Sequence, residues 1–288
     1  MRWFNVAALL FWLTTMGWLF TEKILPSLDV GEPPGYGMRD TPVRWELFIN
    51  GDPLGWATSE ARLDEDGVVQ YDDHVHLDRL PLREIAPAWL LSSLDLQLSD
   101  TWMDVRSMSQ ADPLGRLIGF RSTVALGYLE NVATIEGKAD DGRLDLTVRA
   151  AGMVHKKTIP LPAENNIDGA LSPAVNLGRL RVGQHWTVPV YSPLGPPTAP
   201  VEILYAHVER EEPIIWNGHI VKTSLVIYAN EPAGSDVGYG NWHARAWVAA
   251  DGRVLKQQIA VVNAYVTFVR QPADVAVETF QRAAAGAN

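Results

Sequence analysis

From Val43 onward, apolar and polar residues alternate with a period of two. That is the spacing of a strand with one buried and one wet face. The clearest run sets Leu144, Leu146 and Val148 against Arg143, Asp145, Thr147 and Arg149, as in an antiparallel sheet. Asn50-Gly51, Asp66-Gly67, Asp141-Gly142, Asn217-Gly218 and Asp251-Gly252 punctuate the pattern. Such dipeptides tolerate the positive φ angles that tight hairpins need. The pattern predicts strands near 43–50, 53–63, 67–77, 103–109, 116–126, 128–138, 143–150, 153–161, 185–191, 200–212, 214–229, 240–250 and 253–270. A helix is expected near 82–94, kinked at Pro87. The segment near 164–176 fits a second helix or only a loop, and the Ala-rich tail near 273–285 is a third helical candidate. The expected fold is mostly β: a large antiparallel, curved, half-barrel-like sheet over 43–270 with one or two short helices. Two smaller β units joined near 162–182 are the alternative.

Before Val43 the pattern is different. Trp3 to Phe20 reads WFNVAALLFWLTTMGWLF and holds no charge. As a helix at 1.5 Å per residue it is about 27 Å long, close to the thickness of a bilayer's hydrocarbon core. Trp3, Phe4, Leu9, Leu10, Phe11, Trp12, Leu13, Trp18, Leu19 and Phe20 supply its apolar surface. A cleaved signal peptide would carry more basic residues and a small-x-small site. Only Arg2 and the amino terminus are basic, and Gly17-Trp18-Leu19 is a poor cleavage site. Residues 1–25 are therefore read as an uncleaved, single-pass anchor. The positive-inside rule puts the amino terminus in the cytoplasm and the remainder across the membrane. In a bacterium with two membranes, that means the inner membrane with the bulk in the periplasm. Residues 26–42, rich in Pro and Gly, read as a linker, and 271–288 as a flexible tail.

Charge and composition remove several functions. Lys plus Arg is 24 and Asp plus Glu is 34, so the net charge is 24 − 34 = −10. An acidic chain is a poor partner for nucleic acid. The absence of cysteine excludes disulfides, thiolate metal sites, a cysteine nucleophile and an acylated cysteine.

Two segments carry a family resemblance. Trp45 to Asp66, WELFINGDPLGWATSEARLDED, is a hairpin with an Asn-Gly turn and a Leu-Gly pair. Trp247 to Arg270, WVAADGRVLKQQIAVVNAYVTFVR, is a strand, an Asp-Gly-Arg-Val-Leu turn and a long final strand. Together they resemble membrane-anchored bacterial envelope proteins with a lipoprotein-carrier-like β half-barrel of the LolA/LolB type. The resemblance implies an antiparallel sheet curled around an apolar cavity with a helix across its mouth. Carriers of that class are soluble or lipid-anchored, whereas this chain is expected to keep a protein anchor, which favours a fixed receptor, relay or subunit.

The candidate chemistry is sparse. Trp89, Leu90 and Leu91 in the helix candidate, with Trp45, Trp56 and Trp102, are the expected lining of an apolar groove. On a strand, His74 and His76 share a face with Asp72 and Asp78. Two imidazoles and a carboxylate suit zinc, but a third fixed ligand and supporting shell are missing, so no metal and no cofactor is expected. No Gly-x-Ser-x-Gly elbow, P-loop or His-Glu-x-x-His is present. The expected role is non-enzymatic: an extracytoplasmic binding protein for a lipid or other apolar ligand, with the bilayer as its other partner. The alternative is a structural or accessory subunit of a membrane or envelope complex.

Overall fold

In the computed structural model, the described residues are 42–79, 101–113, 116–150, 152–160, 168–169, 173–191, 201–230, 242–261 and 264–273. The expected anchor, the linker up to residue 41, the helix candidate at 82–94 and the tail beyond 273 lie outside them. Among the described residues no helix is long and apolar enough to cross a membrane.

The strands are β1 (Val43–Ile49), β2 (Asp52–Leu63), β3 (Val69–Leu77), β4 (Met103–Ala111), β5 (Leu117–Leu126), β6 (Leu129–Asp140), β7 (Arg143–Ala150), β8 (Met153–Pro160), β9 (Asp168–Gly169), β10 (His185–Tyr191), β11 (Val201–Trp216), β12 (His219–Ala229), β13 (Ala244–Ala249), β14 (Val254–Val261) and β15 (Ala264–Arg270). All belong to one sheet in the order β8-β7-β6-β5-β4-β3-β2-β1-β15-β14-β13-β12-β11-β10-β9. Only the two-residue β9 runs parallel to its neighbour. The alternative of two separate β units is therefore replaced by one continuous sheet. The join is the β1–β15 ladder, which places the first and last hairpins side by side.

Turn chemistry fixes the hairpins. Asn50 and Gly51, Asp141 and Gly142, and Asn217 and Gly218 all take positive φ, the two-residue turns that match strand twist. The strand expected over 253–270 is two, β14 and β15. The break expected near 213 lies instead at Asn217-Gly218, with Pro213 inside β11. Pro213 faces no ladder beyond its β12 partner, because β10 pairs with β11 only as far as His207, so its missing N–H costs nothing there.

One face of the sheet is the core. Trp45, Ala57, Val75, Val105 and Val124 form one row across β1–β5, and Phe268, Ile259, Ala246, Val226 and Trp186 continue the same face across β15–β10. Each of these ten is at most 4 % exposed, so all are closely covered. A second cluster, with Phe120, Ile135, Leu144 and Leu146, is met by Val201 of β11. Strands distant in the sheet order therefore approach each other, and the sheet curls onto itself.

A strap closes this interior. Residues 173–178, which overlap the 164–176 segment expected as a helix or a loop, run irregularly and insert Val175 and Leu177 into the core. Leu177 N–H donates to Gly252 O at 2.9 Å, and Arg270 Nη1 donates to Val175 O at 2.9 Å. A Cβ at Gly252 would stand 2.5 Å from Asn176 Oδ1, so the close pass of strap and turn requires glycine.

Candidate functional site

The opposite face of β2–β5 is polar and recessed. Register sets its rows: Trp56, His76 and Asp104; Thr58, His74, Arg106 and Thr123; Glu60, Asp72, Met108 and Arg121. Gly55 lets β2 approach β3 closely, since a Cβ there would lie 2.0 Å from His76 O.

Asp104 joins the two imidazoles. His74 Nε2 lies 2.5 Å from Asp104 Oδ1, and His76 Nδ1 lies 3.0 Å from the same oxygen. Asp78 Oδ1 stands 3.3 Å from His76 Nε2. Burial pushes the His74 imidazole below its ordinary value, against the pull of its Asp104 bond. Burial alone would lift Asp104, but hydrogen bonds from His74 and His76 outweigh it and hold the carboxyl below the usual range. Aromatic rings frame the group. Trp56 stacks on His76 with centroids 5.4 Å apart and meets His74 edge-on at 4.8 Å. Trp102 also stacks on His76, with centroids 6.2 Å apart.

Beside this cluster is a groove of about 360 Å³, lined by Thr58, Glu60, His74, Arg106, Met108 and Arg121, among others. Arg121 lies 3.4 Å from Glu136, which Arg149 also holds at 2.7 Å. Arg106 meets no carboxylate among the described residues. The groove thus sets the Arg106 guanidinium, an imidazole, hydroxyls and a thioether beside the carboxylates of Glu60 and Asp72, a surface of mixed charge with an apolar patch.

The residues singled out from sequence divide between the two faces. Trp45 is fully buried in the core, while Trp56 is half-buried on the outer face and Trp102 is exposed beside it. Trp89, Leu90 and Leu91 lie outside the described residues. Of the weak metal candidates, His74 and His76 do come together, but Asp72 is bonded by Gln70 at 3.0 Å and their shared carboxylate is Asp104. Among the described residues no three His, Asp or Glu side chains are grouped to hold a metal ion. Asp104 was missed because the segment joining β3 and β4 is too long for a turn to set their register. The strand alternation of 103–109 was the only available signal.

No family model and no curated protein matches the chain. Among solved structures it is similar to a β-barrel-like protein of the domain of unknown function DUF1849 from Brucella abortus, at 10% identity. That match covers 80% of this chain and 95% of the other, with a TM-score of 0.46. It is also similar to a candidate lipoprotein from Parabacteroides distasonis, at 8% identity, 83% and 98% coverage and a TM-score of 0.27. Neither is described as a LolA/LolB-type carrier.

Proposed function

We propose that this chain is a non-catalytic accessory protein of the cell envelope, anchored in the membrane by residues 1–25, whose β body binds a protein partner on its outer face. The observation that carries this reading is the close packing of the core among the described residues. Trp45, Leu47, Val226, Val254 and Phe268 are at most 1 % exposed, whereas an acyl-chain binder needs an open apolar cavity of several hundred Å³. The groove by His74 and Arg106 gives the outer face a recess with built chemistry. It accepts a peptide segment whose carboxylate meets Arg106 and whose apolar part lies on Met108 and Trp56. A lipid ligand, the first expectation from sequence, has less support, because Trp45 and Trp56 lie on opposite faces of the sheet.

The test is a photo-cross-linking residue at Met108 in the full chain, in cells. The reading predicts a discrete protein adduct that Arg106→Glu abolishes without lowering the amount of the chain. No protein adduct at Met108, with lipid co-purifying at one per chain, contradicts it.

A further inference from the structure

The β11–β12 hairpin outruns the sheet. β10 pairs with β11 only up to His207, and β13 pairs with β12 only from Thr223. Beyond those points the hairpin is a two-stranded ribbon closed by Asn217-Gly218.

The ribbon is nonetheless held firmly on one side. Trp216 Nε1 donates to Arg270 O at 2.8 Å, Trp247 Nε1 donates to Glu212 Oε1 at 2.9 Å, and Ile214 packs on the outer cluster of Leu225, Ile227 and Trp247. The other side carries Ile215 and Ile220, directly paired across the ladder and 79% and 80% exposed. Two adjacent isoleucines at the tip of a fixed ribbon are an unusual expense of exposed apolar surface.

Position gives this tip an occupant. Arg270, to which Trp216 is bonded, pairs with Trp45, and Gln271 N–H donates to Arg44 O at 2.9 Å. The tip thus lies at the rim where β1 begins, and the 42 residues before Val43 arrive there, including the uncharged run from Trp3 to Phe20. Seventeen residues, 26–42, separate Val43 from the expected anchor, and a coil of that length would reach about 20–25 Å. A tether this short keeps the tip at high effective concentration near the bilayer.

We infer that Ile215 and Ile220 dock the β body onto the lipid surface, inserting between headgroups beside the anchor. This rests on the anchored reading proposed above. The neighbouring charge defines the lipid. Asp64, Glu65 and Asp66, Asp140 and Asp141, and Asp251 are exposed in the other turns of this rim; Arg62, Arg116, Arg143 and Arg253 stand among them, Arg253 paired with Asp251 at 2.6 Å, and the acids outnumber them. Lys222 at the ribbon is paired with Glu211 at 2.7 Å. The contact is therefore apolar, and it favours a zwitterionic surface over an anionic one.

The chain lacks cysteine, so single labels can be placed cleanly. The full chain is reconstituted in phosphatidylcholine vesicles with an environment-sensitive dye on Asn217→Cys. Reference labels are Tyr128→Cys, 88% exposed at the opposite rim, and Trp12→Cys in the anchor. The account predicts quenching of the 217 label by nitroxide lipid and shielding from iodide, with the reverse at 128. Ile215→Asp with Ile220→Asp reduces the nitroxide quenching at 217 by about threefold or more, and phosphatidylglycerol weakens it. Quenching at 12 without quenching at 217 overturns the docking and leaves the anchor standing. Absence of quenching at 12 overturns the anchored reading itself, and the docking with it. Shielding of 217 from iodide without nitroxide quenching overturns the lipid contact in favour of a protein or a second copy of this chain.

Discussion

His74 of β3 and Asp104 of β4 share a hydrogen bond of 2.5 Å across their ladder, and His76 takes the same carboxylate oxygen at 3.0 Å. One oxygen thus orients two imidazoles, so neutral His74 carries its proton on Nε2. Asp104→Asn keeps the shape and removes the charge. It is expected to destabilise the protein by about 1 kcal/mol, the difference between a charge-assisted and a neutral bond in a half-buried site. Because Asp104 pulls the His74 value upward, the substitution should also move the His74 titration further down. Denaturant melts and imidazole NMR titration measure the two effects.

Acid should weaken the fold in two steps. Burial holds His74 and His207 below their ordinary value, so the unfolded chain takes up these protons first. Stability is then full above about pH 6.5 and falls as the pH drops from there to the folded values. Asp104, Glu136, Glu212 and Asp251 lie below the ordinary carboxylate range. Their contribution is present above about pH 4 and is lost as the pH falls through their folded values. Thermal melts against pH should show both steps. Replacing His74 and His207 by Gln should flatten the first and leave the part of the second that Glu136, Glu212 and Asp251 carry, while Asp104 loses its His74 bond.

Phe120 lies over Gly137 across the β5–β6 ladder, where a Cβ would come within 2.2 Å of the ring. Gly137→Ala should cost about 1–3 kcal/mol by overpacking. Adding Phe120→Leu to that variant should recover part of the loss in a denaturant melt, because the smaller side chain frees the space.

The strap is expected to be part of the cooperative fold. Leu177 is 1% exposed within the main core. Leu177→Ala should destabilise by about 2–5 kcal/mol, the range for truncating a core leucine. A single melting transition at lower denaturant would support this. An unchanged midpoint would show that the strap packs only loosely.

The strand body was legible because alternation and turn dipeptides are local. Leu144, Leu146 and Val148 face inward as their spacing requires, and three of the turn dipeptides adopt the backbone that Asn-Gly and Asp-Gly favour. The candidate site was legible only in part. An ideal two-residue hairpin at Asn50-Gly51 would set Trp45 opposite Trp56 on one face. The irregularity between Leu47 and Phe48 shifts the register, so Trp45 pairs with Ala57 and Trp56 turns outward. No periodicity reveals such a bulge. The strap falls partly in the 164–176 segment, whose sequence fits a short helix or a loop; in the structure it runs irregularly, with Pro173, Val175 and Leu177 buried at every second position. Its partners, Gly252 and Arg270, lie far along the chain, and no local pattern announces them.

The central claim is that the β body is filled inside and binds on its outside. Native mass spectrometry of the full chain, released from mild detergent, tests it most directly. The account predicts that the bare polypeptide mass is reached once loosely held lipid is stripped, with folded charge states retained. A lipid bound at one per chain that survives until the protein unfolds would contradict the account and place an acyl chain within the sheet.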